Sequence, residues 1–212
     1  MQLNPASSIM KKPTVPQPVV LETERLYLSE LNPAIYNHLF TVCSDEEIMA
    51  YLGMKNTEEL AEEKDKFSKG LTTYFHSFKN FRILDKKTDT VLGRCGFHTW
   101  IISHRRAEIG YHLLHDTYKQ KGYMTEALGP ILAYGFEEMG LRRIEALAAD
   151  YNTPSIKLLQ RFGLQLEGVI REHYVVNGVN EDSVLYSIIR PDYDRLKTFW
   201  NLKYRQISEA KV

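Results

Sequence analysis

Cysteine is scarce: Cys43 and Cys95 are the only two in 212 residues. They lie far apart with no CxxC or His-rich spacing, which excludes a disulfide framework and a zinc site and points to a reducing compartment, expected to be the cytoplasm. No run of about 18 apolar residues occurs, and the N-terminus lacks the apolar core of an export signal despite Lys11 and Lys12. A soluble, unexported protein without a membrane partner is therefore expected. Neither sign of charge is in excess, Lys plus Arg and Asp plus Glu both numbering 27, so the global basic field of a nucleic-acid binder is missing and no nucleic-acid partner is expected. There is no internal repeat and no low-complexity block. What remains, 43% hydrophobic and 25% charged, is the composition of one globular domain with a substantial core.

Residues 1–18 carry Pro5, Pro13, Pro16 and Pro18 with little periodic apolar content and read as a flexible lead-in. Val19 to Leu28 contains a first strand. Asn32-Pro33 supplies an N-cap and a proline at N1, with Ile35, Leu39, Phe40 and Cys43 on one helical face, and Ser44 to Glu47 has capping-box spacing. A longer helix capped by Thr57 is predicted to carry Leu60, Phe67, Leu71, Tyr74, Phe75 and Phe78. Phe81 to Leu84 and Val91 to Trp100 form a hairpin, and Ala107 to Leu114 a central strand. Met124, Leu128, Ile131, Leu132, Phe136 and Met139 mark a helix stopped by Gly140.

Arg143 to Ala149 is a strand of small and apolar residues. Asn152-Thr153-Pro154 opens a helix ending at Gly163, and Asn177-Gly178 joins two strands, Leu164 to Val176 and Asp182 to Ile189. From Asp192 to about Ile207 the chain reads as helix. The order predicts an α/β protein, a mixed sheet flanked by helices, with the domain over 19–193 and a helical extension over 194–212.

The organising stretch is Tyr118-Lys119-Gln120-Lys121-Gly122-Tyr123-Met124-Thr125-Glu126-Ala127-Leu128, between the central strand and a helix. Glycine where a strand feeds a helix lets successive backbone N–H groups point one way, reinforced by the positive end of the helix dipole. Lys119 and Lys121 add charge suited to a diphosphate. An ordinary strand-to-helix turn with solvated lysines is the other reading. A nucleotide hydrolase is disfavoured, because the GxxxxGK[ST] pattern is missing.

Four segments, Ala107-Glu108-Ile109-Gly110-Tyr111-His112-Leu113, the loop ending Lys121 to Leu128, Asn152-Thr153-Pro154-Ser155, and Arg161-Phe162-Gly163-Leu164 with Glu167-Gly168, resemble in this order the GCN5-related N-acetyltransferases. Within them the similarity is to the RimJ/RimL-type group, over about Val19 to Tyr193. The resemblance implies an acyl-CoA N-acyltransferase fold whose mostly antiparallel sheet of about seven strands is splayed in the middle. It implies acetyl-CoA as cofactor, without a metal. The pyrophosphate would lie on the amides of Lys119, Gln120, Lys121, Gly122, Tyr123 and Met124, beside Thr125, and the pantetheine arm beside Leu113 and Leu114 like an extra strand. Asn152 and Ser155 fall where the family contacts the arm or its sulfur. The acceptor would be an amine, on a protein N-terminus or a small molecule, and the protein a monomer or homodimer. Lys119 and Met124 depart from the family's loop pattern, and Leu159 stands where many relatives carry a tyrosine that protonates the leaving thiolate.

Acetyl transfer needs a neutral amine, so a partly buried carboxylate with a raised pKa is sought as base. Glu108 on the central strand is the first candidate, with a structural ion pair to Arg105 or Arg106 as the alternative. Glu167 is the second, by resemblance to a glutamate proposed as base in some relatives. Ser155 can donate to the sulfur or serve the helix cap, and an unpaired N–H near His112 or Leu113 can meet the oxyanion. Trp100, His104, Arg105 and Tyr174 border the acceptor groove in the family. An acyl-CoA sensor without turnover is the competing reading, favoured by Leu159.

Overall fold

Asn32, Ser44 and Asn56 each stand one residue before a helix and accept a backbone N–H from its first turn, fixing the starts of α1 (Pro33–Val42), α2 (Asp45–Leu52) and α3 (Thr57–Ser68). At Ser44 the capping box is complete, because Glu47 accepts the Ser44 N–H in return. The computed structural model describes residues 17–72 and 76–207. The lead-in expected over 1–18 falls, up to residue 16, outside the described residues, as do residues 208–212.

Asn56, and not Thr57, is the cap of α3, and the helix does not reach Phe78. It ends at Ser68, and Gly70 at φ 95° takes the chain out of helical geometry. Phe78 instead belongs to strand β3 (Ser77–Asp85), while Tyr74 and Phe75 lie outside the described residues.

The other strands are β1 (Val20–Glu22), β2 (Leu26–Leu31), β4 (Val91–Ile101), β5 (Arg106–Leu113), β6 (Arg143–Ala148), β7 (Gln165–Val176), β8 (Val179–Ile189) and β9 (Arg205–Ile207). Among the described residues they form one mixed sheet in the order β7-β8-β6-β5-β4-β3-β2-β1-β9, nine strands where about seven were expected. One extra strand arises because the first is broken at Thr23, whose N–H turns back to the carbonyl of Leu26 and whose hydroxyl oxygen accepts the Leu26 N–H. The other replaces part of the predicted C-terminal helix. Helix α6 (Arg190–Leu196) and a 3-10 turn, Lys197–Trp200, are followed by Asn201 at φ 47°, a conformation asparagine tolerates. The chain then reverses and pairs as β9 along the edge of β1.

Two apolar layers cover the sheet. Helix α4 (Tyr123–Glu137), with every residue from Ala127 to Phe136 buried, lies against Leu28, Phe81, Ile83, Cys95, Phe97 and Ile109. On the other face α1, α2 and α3 enclose Leu31, Ile35, Leu39, Ile48, Leu52 and Leu60. Helix α5 (Thr153–Arg161) buries Leu159 against the α4 side. Among the described residues no helix is long and apolar enough to cross a membrane, and no group of three or more His, Cys, Asp or Glu side chains is placed to hold a metal ion.

Candidate active site

Among the described residues strands β5 and β6 are the one parallel pair in the sheet, in register at Arg106 with Arg143, Ala107 with Ile144 and Glu108 with Glu145, after which they part. From Ala146 onward β6 keeps only β8, and from Ile109 onward β5 keeps only β4. A wedge opens between them, and Glu108 stands at its fork.

The ion pair left open for Glu108 goes elsewhere. Arg106 bonds Glu145 at 2.9 Å, Arg143 bonds the other oxygen of Glu145 at 2.7 Å, and Arg105 donates to the carbonyl of Gly140 at 3.0 Å. Glu108 itself is 17% exposed and faces Nδ1 of His98 at 3.7 Å. Burial, and then the charge of Glu145, push its carboxyl above the ordinary range, while His173 pulls the other way. Burial also lowers His98, favouring its neutral form.

Next to His98, Thr99 sits at φ 46°, a strained setting for a β-branched residue, inside a register shift of β4 against β5. Its Oγ1 lies 3.2 Å from His98 Nδ1. A groove of about 360 Å³ reaches His98 from the α1–α3 side, walled by Tyr36, Glu63, Phe78 and Asn80.

At the end of β5 the loop has a nest geometry. Gln120 at φ 60° and Gly122 at φ 78° are both left-handed, and Gly122 caps α4 without any side-chain bond. The first amides of α4, at Tyr123, Met124 and Thr125, therefore lack intrahelical acceptors and point outward with the dipole. This chemistry fits a diphosphate, and the structure gathers Lys119, Gln120, Lys121, Gly122, Tyr123, Met124 and Thr125 into it. Lys119 is tied to Asp116 at 2.6 Å on the exposed rim.

Along the wedge, the N–H of Leu114 is spent on the carbonyl of Leu92 and its carbonyl accepts Lys55 Nζ at 2.7 Å. Leu114 is thus a poor partner for an added strand, and by the alternation of antiparallel pairing His112 also faces β4. The backbone groups of Tyr111 and Leu113 point to the open side. At the opposite wall Asn152 caps α5 through the Ser155 N–H at 3.3 Å, which leaves the Ser155 hydroxyl free to meet the Tyr111 hydroxyl at 2.8 Å. Burial first, and Cys95 to a lesser extent, push the Tyr111 phenol up to about 12 against the Ser155 bond. Leu159, which the resemblance sets at a tyrosine position, is fully buried.

Glu167 is 42% exposed and bonded to Ser187 and to Arg143, which hold its carboxyl below the usual range. Tyr174 is exposed and close enough to Glu108 that, after burial, the carboxylate's charge raises its phenol. Trp100 continues β4 past the bulge, and His104 and Arg105 form the exposed turn before β5. His98, Tyr111 and Thr99 were not singled out in the sequence. Alternation places Tyr111 on the face of Ile109 and Leu113, but nothing local announces its contact with a serine 44 residues away.

The Acetyltransferase (GNAT) domain family matches residues 25–165. The uncharacterized N-acetyltransferase YoaA of Bacillus subtilis (strain 168) is 32% identical over 174 residues, 81% of this chain and 97% of that protein. The [ribosomal protein uS5]-alanine N-acetyltransferase of Escherichia coli (strain K12) is 27% identical over 128 residues, 58% of this chain and 66% of that one. Among solved structures, a GCN5-related N-acetyltransferase from Brucella melitensis superposes with a TM-score of 0.62 at 26% identity, over 90% of this chain and 86% of its own.

Proposed function

This chain belongs to the GNAT acetyltransferase family, and we propose from that premise that it acetylates a primary amine by direct attack within a ternary complex, with Glu108 accepting the amine's proton. The observation that carries this is the fork of β5 and β6, which sets a carboxylate with no Lys or Arg partner among the described residues at the inner end of a wedge whose outer end is the nest. Acetyl-CoA, when bound, supplies an activated acetyl thioester, and the loop from Lys119 to Thr125 with the open edge of Tyr111 and Leu113 would hold it.

A carboxyl raised by burial is better matched than an ordinary glutamate to deprotonate an ammonium near neutral pH, and His98, 3.7 Å from it, lines the groove. The backbone N–H groups on the open side of β5 would meet negative charge developing on the carbonyl oxygen. The Tyr111 and Ser155 hydroxyls can hydrogen-bond a departing thiolate, whose pKa of about 8.5 makes it a ready leaving group. Glu167, held anionic by Arg143 and Ser187, is the weaker candidate for base.

The acceptor class is an amine, on a protein N-terminus or on a small molecule; the name of one relative specifies an alanine of ribosomal protein uS5, which supports a protein acceptor and a RimJ/RimL-type reading. A thiol-release assay with acetyl-CoA against N-terminal peptides, polyamines, aminoglycosides and amino acids tests the proposal. Release above background with at least one amine class is expected. Silence across the panel with intact acetyl-CoA binding would support a non-catalytic acyl-CoA sensor instead.

A further inference from the structure

Arg25 lies in the turn between β1 and β2, yet it is built into the nest. Its backbone N–H and Nε bond the two carboxylate oxygens of Glu126 at 2.7 and 2.6 Å, and the Thr23 hydroxyl adds a third bond at 2.6 Å. Its Nη1 donates to the carbonyl of Lys121 at 3.0 Å, and its guanidinium carbon stands 4.8 Å from the centre of the Tyr123 ring. Among the described residues Nη2 makes no hydrogen bond, and it sits 3.5 Å from where a Cβ on Gly122 would lie, with the side chain 43% exposed.

Glu126 explains why a cation belongs here. A carboxylate in the first turn of α4 is drawn to the same positive helix end that would receive a phosphate, and so competes with it. Burial opposes its charge, but the bonds from Thr23 and Arg25 outweigh burial and keep it ionised. Without Arg25 that charge would stand uncompensated beside an anionic ligand.

We infer that Arg25 is a positioning residue for the cofactor's diphosphate: it fixes the loop through the Lys121 carbonyl, cancels the charge of Glu126 and presents Nη2 beside Gly122. This rests on reading residues 119–125 as the diphosphate site. Arginine suits the role because its planar fork serves a carboxylate, a carbonyl and a phosphate oxygen at once, which a lysine ammonium does not.

The test is calorimetric titration of the full chain and of Arg25→Ala, Arg25→Lys and Arg25→Ala/Glu126→Gln with coenzyme A, dephospho-coenzyme A and acetylpantetheine, alongside melting temperatures. Arg25→Ala should weaken both diphosphate ligands about tenfold or more, with a shallower salt dependence, and leave acetylpantetheine unchanged. Adding Glu126→Gln should recover part of the loss by removing the uncompensated charge, and Arg25→Lys should fall between wild type and Arg25→Ala. A purely structural tie would lower the melting temperature of Arg25→Ala while every ligand's affinity for the folded variant stayed equal, or fell alike, and would overturn the inference. Loss confined to coenzyme A, with dephospho-coenzyme A unaffected, would move Arg25 to the ribose phosphate and overturn the diphosphate assignment. If wild type binds neither diphosphate ligand, the nest itself is wrong; if wild type and Arg25→Ala bind them equally, only the role of Arg25 is.

Discussion

Replacing Glu108 by Gln keeps the size of the side chain at the fork and removes its capacity to take a proton. General-base catalysis contributes roughly 10²- to 10⁴-fold, so the turnover number should fall about a hundredfold or more, equivalent to about 2.7 kcal/mol on the barrier. Acetyl-CoA affinity should hardly change, because the nest lies at the other end of β5. The structure also sets the sign of the stability effect. Glu108 is 17% exposed, has among the described residues no partner within salt-bridge reach other than His98, and faces Glu145 across the parallel pair. Its carboxyl is raised by burial, so the folded chain holds that proton more tightly than the unfolded chain does. Its contribution is therefore full below the ordinary value of 4.5 and is lost as pH rises through the raised folded value. Glu108→Gln should thus melt at the same temperature as wild type or higher near pH 7, with far lower turnover. Steady-state kinetics across about pH 5 to 9 and thermal denaturation decide it, the acidic limb of kcat/KM vanishing or shifting in the variant once acceptor ionisation is accounted for. Near-normal turnover combined with a lower melting temperature would refute the reasoning and return Glu108 to a structural role.

Gly122→Trp should weaken acetyl-CoA binding at least tenfold by calorimetry, since φ 78° disfavours any side chain and bulk there crowds the nest; unchanged affinity in a folded variant would remove the nest from the site. Lys79→Met strips the 2.6 Å partner from Glu30, whose side chain is only 4% exposed, and should cost about 3 to 5 kcal/mol in denaturant unfolding, with Glu30→Gln added to it recovering much of the loss. Burial opposes ionisation of Glu30, but Lys79, the Val19 N–H and Asn32 together hold its carboxyl low, so the wild-type contribution should persist above pH 4.5 and disappear as pH falls below that value. Glu167→Gln should leave turnover within about twofold of wild type, because a half-exposed carboxylate held low by Ser187 and Arg143 is a poor base; a hundredfold loss would transfer the role from Glu108.

Signals contained in a few neighbouring residues were legible from the sequence. Asn32-Pro33, the Ser44 box, Asn152-Thr153-Pro154 and Asn177-Gly178 announce caps and a turn, because a cap or a tight turn is closed by groups three or four residues apart. The loop from Lys119 to Thr125 was legible for the same reason, since a left-handed Gly122 ahead of a helix is a local arrangement of amides. The order of four such segments was enough to identify the family. Where the local signal was weak the reading ran long: apolar spacing carried the predicted helix past Ser68 and the C-terminal helix past Trp200, because it takes no account of Gly70 and Asn201 in left-handed conformations or of an open sheet edge waiting at β1.

The site itself depended on contacts between distant residues. That Arg106 pairs with Glu145 and leaves Glu108 without a guanidinium follows from the register of β5 on β6, which no spacing within either strand encodes. The Tyr111 hydroxyl meets Ser155 only because the two walls of the wedge diverge by the right amount, and Arg25 reaches Glu126 across 101 residues only because the β1–β2 turn packs over the start of α4. Alternation and capping fix the face and the ends of each element. Which charge ends up compensated, and which is left facing the cleft, is fixed only when strands take register and helices pack, and that sets the raised carboxyl of half-buried Glu108 apart from that of exposed Glu167, held low by Ser187 and Arg143.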